Sequence, residues 1–134
     1  MATLVKLLDK EDGIESRLCV TGQHREMLDQ VLSLFDITPD FDLKIMQESQ
    51  SLTQIVARVM LGVEKVIKTF KPDVILVHGV TATTFAVSMT SFFNRITVGH
   101  VEAGLRTGNL QSPWPEEMNK KSYIEVAPDF WTVC

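Results

Sequence analysis

The stretch that decides the fold runs from residue 73 to residue 117 and reads DVILVHGVTATTFAVSMTSFFNRITVGHVEAGLRTGNLQSPWPEE. Two short runs in it, Val74–Val77 and Ile96–Val98, contain no charged residue and are rich in β-branched ones. Such runs are typical of parallel strands with helices over both faces of the sheet. The residues between them place apolar side chains at helical spacing, after threonines suited to capping a helix. The sequence therefore predicts a strand, a helix and a second strand parallel to the first.

The residues before this stretch continue the alternation of strands and helices. Residues 1–10 suit a short helix and also fit a strand. After them the pattern predicts a strand over 17–21, a helix over 23–35, a strand over 42–46 and a helix over 51–69. The helix over 23–35 has its apolar residues on one face: Met27, Leu28, Val31, Leu32 and Phe35. The longer helix begins with Ser51 and Gln54 at capping-box spacing. We therefore expect an α/β fold with a Rossmann-like, doubly wound parallel sheet of four strands.

Composition and charge restrict the classes of protein to which this chain can belong. Its 134 residues, 45% of them hydrophobic, are enough for one packed domain. The formal charge of -4 comes without a basic run, which argues against nucleic-acid binding and against a polybasic membrane patch. No apolar run reaches the roughly 20 residues of a membrane span, and charges from Lys6 onward interrupt any signal peptide. We therefore expect a cytoplasmic, globular domain in which Cys19 is a core residue rather than a disulfide or zinc ligand.

Two polar segments directly follow the two strands of the central stretch. They are His78-Gly79-Val80-Thr81 and His100-Val101-Glu102. In open α/β sheets ligands bind outside the carboxyl ends of the strands, which share one edge here. Gly79 permits a tight turn, and the start of the following helix favours an anion such as a phosphate. The glycine spacing matches neither the dinucleotide fingerprint nor the P-loop, so these residues indicate a ligand-binding edge without identifying the ligand.

The acidic residues and the arginine of this stretch each have two interpretations. Glu102 is either a partly desolvated acid–base group or a solvated loop carboxylate. Arg106 either holds a phosphate or forms a structural ion pair. Glu116 and Glu117 follow two prolines that flank Trp114, and this pattern favours carboxylates in the first turn of a helix.

The histidines and one further polar motif favour structural roles when taken alone. His78 and His100 each lie at the end of a predicted strand, where a histidine is more often hydrogen-bonded structure than a catalyst. No third residue at ligand spacing completes a metal site, so we expect no metal and no cofactor. The segment Gln23–Glu26 favours an ordinary polar first turn of a helix over a ligand contact.

Three longer strings are specific enough to indicate a family. They are CVTGQHREMLDQVL from Cys19, KPDVILVHGVTATT from Lys71 and ITVGHVEAGLRTGNLQSPWPEEMN from Ile96. Together they closely resemble the amino-terminal domain of the non-hydrolysing UDP-N-acetylglucosamine 2-epimerases, over residues 1–119. The resemblance implies one Rossmann-like half of a two-domain, GT-B-like fold, with the sugar nucleotide in the cleft between the halves.

The same resemblance implies an isomerase that interconverts UDP-N-acetylglucosamine and UDP-N-acetylmannosamine for polysaccharide biosynthesis. The family's proposed route eliminates UDP and adds it back, and it needs acids and bases beside a held diphosphate. By motif, Glu102 and Glu116 match the two catalytic glutamates, so the resemblance overrides the purely structural interpretation of Glu116. The residues expected to bind substrate are His78, Thr81, His100 and Arg106.

The chain departs from the family pattern at three places. The family's GTRPE loop is absent, because this sequence begins in the helix that follows the family's first strand. The family's HGDT string is His78-Gly79-Val80-Thr81 here, so Val80 stands where the family has an aspartate with a catalytic role. After Asn119 no periodic pattern is sustained, and we expect residues 120–134 to form a divergent, disordered tail instead of a second domain. The predicted organisation is thus a partial Rossmann-like domain over 1–119, without its first strand, followed by that tail.

Three hypotheses follow from the sequence. The first is a truncated chain of the epimerase family that is inactive alone. The second is a non-catalytic module that pairs with a full-length epimerase or another subunit through its helical faces. The third is that flanking DNA encodes the GTRPE string upstream and a second domain downstream in another frame. We expect the family's homodimer to need more than this length of chain.

Overall fold

The structure, a computed structural model, describes residues 1–101, 109, 111, 114–126 and 131–133. Its elements follow the predicted order through the fourth strand, and residues 1–10, which suit both a helix and a strand, contain a helix. The elements are α1 (Ala2–Leu8), β1 (Cys19–Val20), α2 (Arg25–Leu34), β2 (Phe41–Asp42), α3 (Leu52–Phe70), β3 (Val74–His78), α4 (Ala82–Phe93), β4 (Thr97–Val101), α5 (Glu116–Val126) and β5 (Trp131–Val133). None of the helices in the described ranges is both long and apolar enough to cross a bilayer.

The chain divides into two compact units, and the first contains residues 1–48. In this unit β1 and β2 form a parallel two-stranded ladder with Cys19 opposite Phe41. Both strands are two residues long, and left-handed backbone follows each of them closely, at Gly22 (φ 76°) and Lys44 (φ 45°). Only two apolar residues of this unit, Val20 and Ile45, are fully buried, so its core is small.

The apolar face predicted for α2 is only partly buried. Leu28, Leu32 and Phe35 are half-buried. Met27 and Leu34, by contrast, are 67% and 79% exposed, and Val31 is exposed as well. Met27, Val31 and Leu34 lie four and three residues apart, so they form one apolar stripe, called the α2 stripe below.

The second unit, residues 49–134, contains a parallel three-stranded sheet in the order β3-β4-β5. Strands β3 and β4 pair over their whole length, from Val74 opposite Thr97 to His78 opposite Val101. The α/β class and the parallel strands are confirmed, whereas the single four-stranded sheet is wrong. Among the described residues the strands form two separate sheets, because the short strands β1 and β2 pair only with each other.

Helices α3 and α4 pack against each other in the second unit. The predicted capping box opens α3: the Gln54 backbone N–H donates to Ser51 Oγ at 3.3 Å, and the Ser51 N–H donates to Gln54 Oε1 at 2.8 Å. Ala82 and Ala86 of α4 are buried, and their small side chains permit a close approach of helices. The buried apolar residues of α3 are Val59, Val63 and Ile67.

Left-handed backbone at residues other than glycine recurs next to the ends of elements. Lys71 (φ 53°) ends α3, and Arg95 (φ 59°) lies two residues beyond α4. The further non-glycine residues with positive φ are Asp36, Lys44 and Ser49.

The carboxyl-terminal segment differs from the prediction. The sequence predicts a disordered tail from residue 120, whereas α5 runs to Val126 and β5 follows at Trp131–Val133. Helix α5 is predominantly polar and shows little apolar periodicity, which is why the pattern failed to predict it. Strand β5 has three residues, too few for a strand pattern, and it is held by parallel pairing with β4. The described part of the segment is thus a helix and a strand.

Candidate functional site

The turn between β3 and α4 has the geometry of a helix start at the end of a strand. Gly79 adopts left-handed backbone (φ 78°), which turns the chain directly after His78. Thr81 caps α4, and its hydroxyl accepts a hydrogen bond from the Thr84 N–H at 3.3 Å, as the sequence predicts. The Thr84 hydroxyl in turn donates to the His78 carbonyl at 3.0 Å. These bonds fix the backbone of residues 78–81 at the carboxyl edge of the sheet.

His100 lies under this turn and not in a loop beyond the sheet. The sequence predicts that the strand ends at Val98, but β4 continues to Val101, and His100 is 1% exposed. Its Nε2 atom is 2.9 Å from the Gly79 carbonyl oxygen. Because a carbonyl oxygen only accepts hydrogen bonds, Nε2 carries the proton in this contact. His100 thus joins β4 to the turn that opens α4, while His78 is exposed.

Val80 is half-buried in this turn. The polar groups of residues 78–81 are the imidazole of His78, the hydroxyl of Thr81 and the backbone. None of these residues carries a carboxylate. This turn can therefore donate hydrogen bonds to an anion, but Val80 cannot accept or return a proton.

Glu116 and Glu117 begin α5, as the pattern of prolines and acids predicts. The N-terminal end of a helix stabilises negative charge, which suits two adjacent carboxylates. Glu117 is 8% exposed, and Glu116 is half-buried. The Glu116 Oε2 atom is buried and has no hydrogen-bond partner among the described residues. Since α5 packs against α4, Glu116 belongs to the same unit as the turn at residues 78–81.

The structure brings together some of the predicted site residues and does not describe others. His78, Val80, Thr81 and His100 lie at the β3–β4 edge. Glu102 and Arg106 lie outside the described residues, and their roles stay predictions. Among the described residues, no group of three histidine, cysteine, aspartate or glutamate side chains is arranged to hold a metal.

Sequence reasoning missed Asn119. This residue is 3% exposed, and its Nδ2 atom has no hydrogen-bond partner among the described residues. The available signal was its spacing, because Asn119 lies three residues after Glu116 and therefore on the same side of a helix.

The segment Gln23–Glu26 has contacts of a structural kind. Arg25 pairs with Asp29 at 2.9 Å, and it also pairs with Asp42 of β2. The hydrogen bond from Arg25 is the main reason why the pKa of Asp42 lies below its usual value. This arrangement agrees with the interpretation of the segment as an ordinary polar helix start.

Cys19 in β1 is half-buried and unreactive by its ionisation. Burial, followed by the nearby negative charge of Asp42, raises the pKa of its thiol to about 11. The thiol is therefore almost entirely protonated at neutral pH and is a poor nucleophile. The sequence predicts a core residue, whereas Cys19 is only half-buried; its protonated thiol still suits a structural role.

These features define a parallel α/β chain of the Rossmann-like class, with polar residues at the edge where such folds bind ligands. The sequence model of the UDP-N-acetylglucosamine 2-epimerase family matches residues 6–128. The match extends past Asn119, where the sequence predicted that the resemblance ends. The chain belongs to the UDP-N-acetylglucosamine 2-epimerase family.

Curated relatives and solved structures agree with this assignment. The chain is 61% identical to the UDP-N-acetylglucosamine 2-epimerase of Yersinia pestis over 121 residues, which are 90% of this chain and 32% of that protein. It is 60% identical to the Salmonella typhimurium enzyme with the same coverage. It therefore spans about a third of the length of these relatives.

Two solved structures show the same fold with ligands bound. The Neisseria meningitidis UDP-GlcNAc 2-epimerase bound to UDP-GlcNAc matches with a TM-score of 0.92 and 50% identity, over 100% of this chain and 36% of that one. The Methanocaldococcus jannaschii enzyme in complex with UDP-GlcNAc and UDP matches with a TM-score of 0.83 and 27% identity, over 94% and 34%. The fold is therefore the one found in sugar-nucleotide epimerases.

Proposed function

We propose that this chain supplies the amino-terminal part of the sugar-nucleotide cleft of a non-hydrolysing UDP-N-acetylglucosamine 2-epimerase. The observation that carries the proposal is the match, over the whole chain, to the Neisseria meningitidis enzyme bound to UDP-GlcNAc. In the proposed reaction the C2 proton and UDP leave the sugar, UDP adds back, and C2 is protonated on the other face. The proposal includes a cytoplasmic location and no cofactor.

The roles proposed for the acidic residues follow from this chemistry. Removing and returning a proton at C2 requires an acid and a base held beside the sugar. We assign these roles to Glu102 and Glu116. In support, Glu116 opens α5, and α5 packs against α4, the helix that follows the turn at residues 78–81.

The roles proposed for the other residues depend on their exposure. His78 and Thr81 are exposed at the turn and are assigned to substrate binding together with Arg106. His100 is 1% exposed, and its contact with the Gly79 carbonyl supports the turn that carries His78 and Thr81. Its own assignment to substrate binding stays a prediction.

The chain by itself is expected to be inactive. Its relatives are about three times as long, and a cleft between two domains cannot position a substrate with one of them. Incubation of the purified chain with UDP-N-acetylglucosamine in deuterated water should give neither deuterium at C2 nor free UDP. Deuterium incorporation above that of a chain-free control would contradict this expectation. In the isolated 134 residues Val80→Asp should not change the result, because one half of a two-domain cleft does not position the substrate.

A chimera tests the function itself. Residues 6–128 of this chain would replace the matching segment of the Yersinia pestis enzyme. If this chain forms half of an epimerase cleft, the chimera carrying Val80→Asp should epimerise UDP-N-acetylglucosamine. The chimera with Val80 should be slower by about 10²- to 10⁴-fold, the usual contribution of one acid–base group.

Two control variants make the chimera test specific. Val80→Asn has a side chain close in size to aspartate but transfers no proton, so it should stay as slow as Val80. Glu116→Gln in the Val80→Asp chimera should lower the rate by a similar factor. A folded chimera that binds UDP but stays inactive with Val80→Asp would contradict the proposed function.

A second candidate function is a non-catalytic module that pairs with a full-length epimerase. The observation that favours it is the α2 stripe, which is exposed rather than buried in a core. The expected result is co-elution of the chain with a full-length epimerase in size-exclusion chromatography, and its loss with Leu34→Lys. The matched control is Glu26→Lys on the same helix but off the stripe. Separate elution at high concentration of both proteins would reject this function.

A further inference from the structure

We propose that Asn119 is a positioning residue for Glu116. Its side-chain amide is joined to the Glu116 carboxylate through one water molecule, since Asn119 Nδ2 has no direct hydrogen-bond partner among the described residues. The importance of this contact for catalysis rests on the proposed function, because Glu116 matters there as an acid–base group. The contact itself rests on the geometry of α5.

The first observation is a pair of buried polar atoms of opposite kind. Asn119 is 3% exposed, and neither its Nδ2 atom nor Glu116 Oε2 has a hydrogen-bond partner among the described residues. An unpaired buried donor or acceptor destabilises the folded state. Nδ2 is a donor and a carboxylate oxygen is an acceptor, so each atom supplies what the other lacks.

The second observation is their placement on α5. Residues three apart are neighbours on the surface of a helix, and helical side chains lean towards its N-terminus. The Asn119 side chain therefore leans back over the first turn, which Glu116 opens. The Asn119 N–H donates to the Pro115 carbonyl at 3.0 Å, so its backbone belongs to that first turn.

Two other groups compete for Asn119. Glu117 is also buried, but it precedes Asn119 by two residues and so lies on the opposite side of the helix. Ser88 Oγ on α4 is buried without a partner among the described residues, and α4 packs against α5. Helix α4 has no titratable side chain. On α4 and α5, Glu116 and Glu117 are therefore the carboxylates nearest in sequence to Asn119, and the test below distinguishes them.

The proposed bond suits the chemistry assigned to Glu116. An amide donor fixes the direction of the carboxylate without neutralising its charge. It occupies one oxygen, so the other oxygen remains available to take up and return a proton. Asn119 thus acts through Glu116 and does not need to contact the substrate.

The test uses nitrogen-15 NMR on the 134-residue chain. The side-chain amide signals of Asn119 are assigned by their loss in Asn119→Ser and followed between pH 4 and pH 8. We expect these signals to shift as a carboxylate titrates. The pH-dependent shift should vanish in Glu116→Gln and persist in Glu117→Gln and Ser88→Ala, since glutamine keeps the shape of glutamate but does not titrate.

Each other outcome overturns the proposal. A shift that vanishes in Glu117→Gln would assign the contact to Glu117. Signals that do not titrate but move in Ser88→Ala would assign the contact to Ser88. Signals indifferent to all three variants would show that Asn119 contacts none of these groups. The signals do not depend on turnover, so a failed contact leaves the epimerase proposal standing and an inactive chimera leaves the contact standing.

Discussion

Gly99 packs closely against Leu76 where β3 and β4 pair. It lies opposite Leu76 in the ladder, and a β-carbon added to Gly99 would come within 2.6 Å of Leu76 Cδ2. The glycine therefore makes room for the leucine. Because β4 also carries His100, this packing supports the part of the sheet that holds the turn at residues 78–81.

We predict that Gly99→Ala lowers the free energy of unfolding by about 0.5–1.5 kcal/mol, the cost of turning the Leu76 side chain out of its preferred rotamer. Urea unfolding followed by circular dichroism measures this change. In a Leu76→Ala background the same Gly99→Ala substitution should cost much less, because the clashing atom is gone. An equal cost in both backgrounds would show that the clash with Leu76 is not the cause.

Asp42 makes the free energy of unfolding depend on pH, and the direction of this dependence follows from its contacts. The hydrogen bond from Arg25 is the largest cause that holds the pKa of Asp42 below its usual value. A lowered folded-state pKa stabilises the fold above the unfolded pKa, near 4, and this stabilisation is lost as the pH falls through the lowered value. Asp42→Asn should therefore be less stable than the natural chain at pH 7, and the difference should shrink below pH 4.

Urea unfolding at pH 7 and at pH 3 measures this difference. The exposed Asp12 provides the matched control, and Asp12→Asn should change the free energy of unfolding by less than about 0.5 kcal/mol at pH 7. If Asp42→Asn lowers the free energy of unfolding equally at both pH values, the ionised Asp42 bonded to Arg25 is not the cause of the loss.

At the level of elements, the helices with strong apolar periodicity could be predicted closely. The strands predicted over 17–21 and 42–46 are longer than β1 and β2, and β5 was not predicted. Helix α3 was predicted to within a residue because its capping box and its 3.6-residue period agree. Strands β1, β2 and β5 have two or three residues each, so pairing with a neighbour and not local pattern determines them. The burial of His100 was missed for the same reason, because pairing with β3 extends β4 beyond Val98.

The capping box of α3 allows a prediction at this scale. Ser51→Ala should lower the free energy of unfolding by about 1 kcal/mol, since the Gln54 N–H then loses its acceptor. Ser51→Gly should lower the free energy of unfolding by only a few tenths of a kcal/mol, because glycine leaves that N–H open to water. Thermal unfolding of the three proteins measures both changes, and equal stability of all three would show that the cap contributes nothing.

For the whole molecule, the core is unevenly distributed between the two units. Residues 1–48 contain two buried apolar residues, and neither α1 nor α2 has a buried residue. The second unit contains the other buried apolar residues of the described chain, all of them on α3, β3, α4 and β4. The family could be predicted from specific strings, but this imbalance could not, because periodicity marks an apolar face without showing what covers it.

We predict that the first unit opens more readily than the second. Regions with few buried apolar contacts open at lower free energy than core elements. Hydrogen exchange measured by mass spectrometry should show faster exchange in peptides from α1 and α2 than in peptides from α3 and α4. Substituting Val59 with alanine should speed exchange in the second unit and leave α1 unchanged. Uniform protection of all four helices would contradict this picture.

The left-handed residues beside the helix ends are positions at which the stability of the chain can be changed by substitution with glycine. A side chain at positive φ costs about 1–2 kcal/mol that glycine does not incur, although glycine also loses more entropy on folding. Lys71→Gly and Arg95→Gly would therefore be tolerated or mildly beneficial. Because neither residue belongs to the turn at 78–81 or to the start of α5, such changes could improve yield and shelf life while leaving the candidate site as it is.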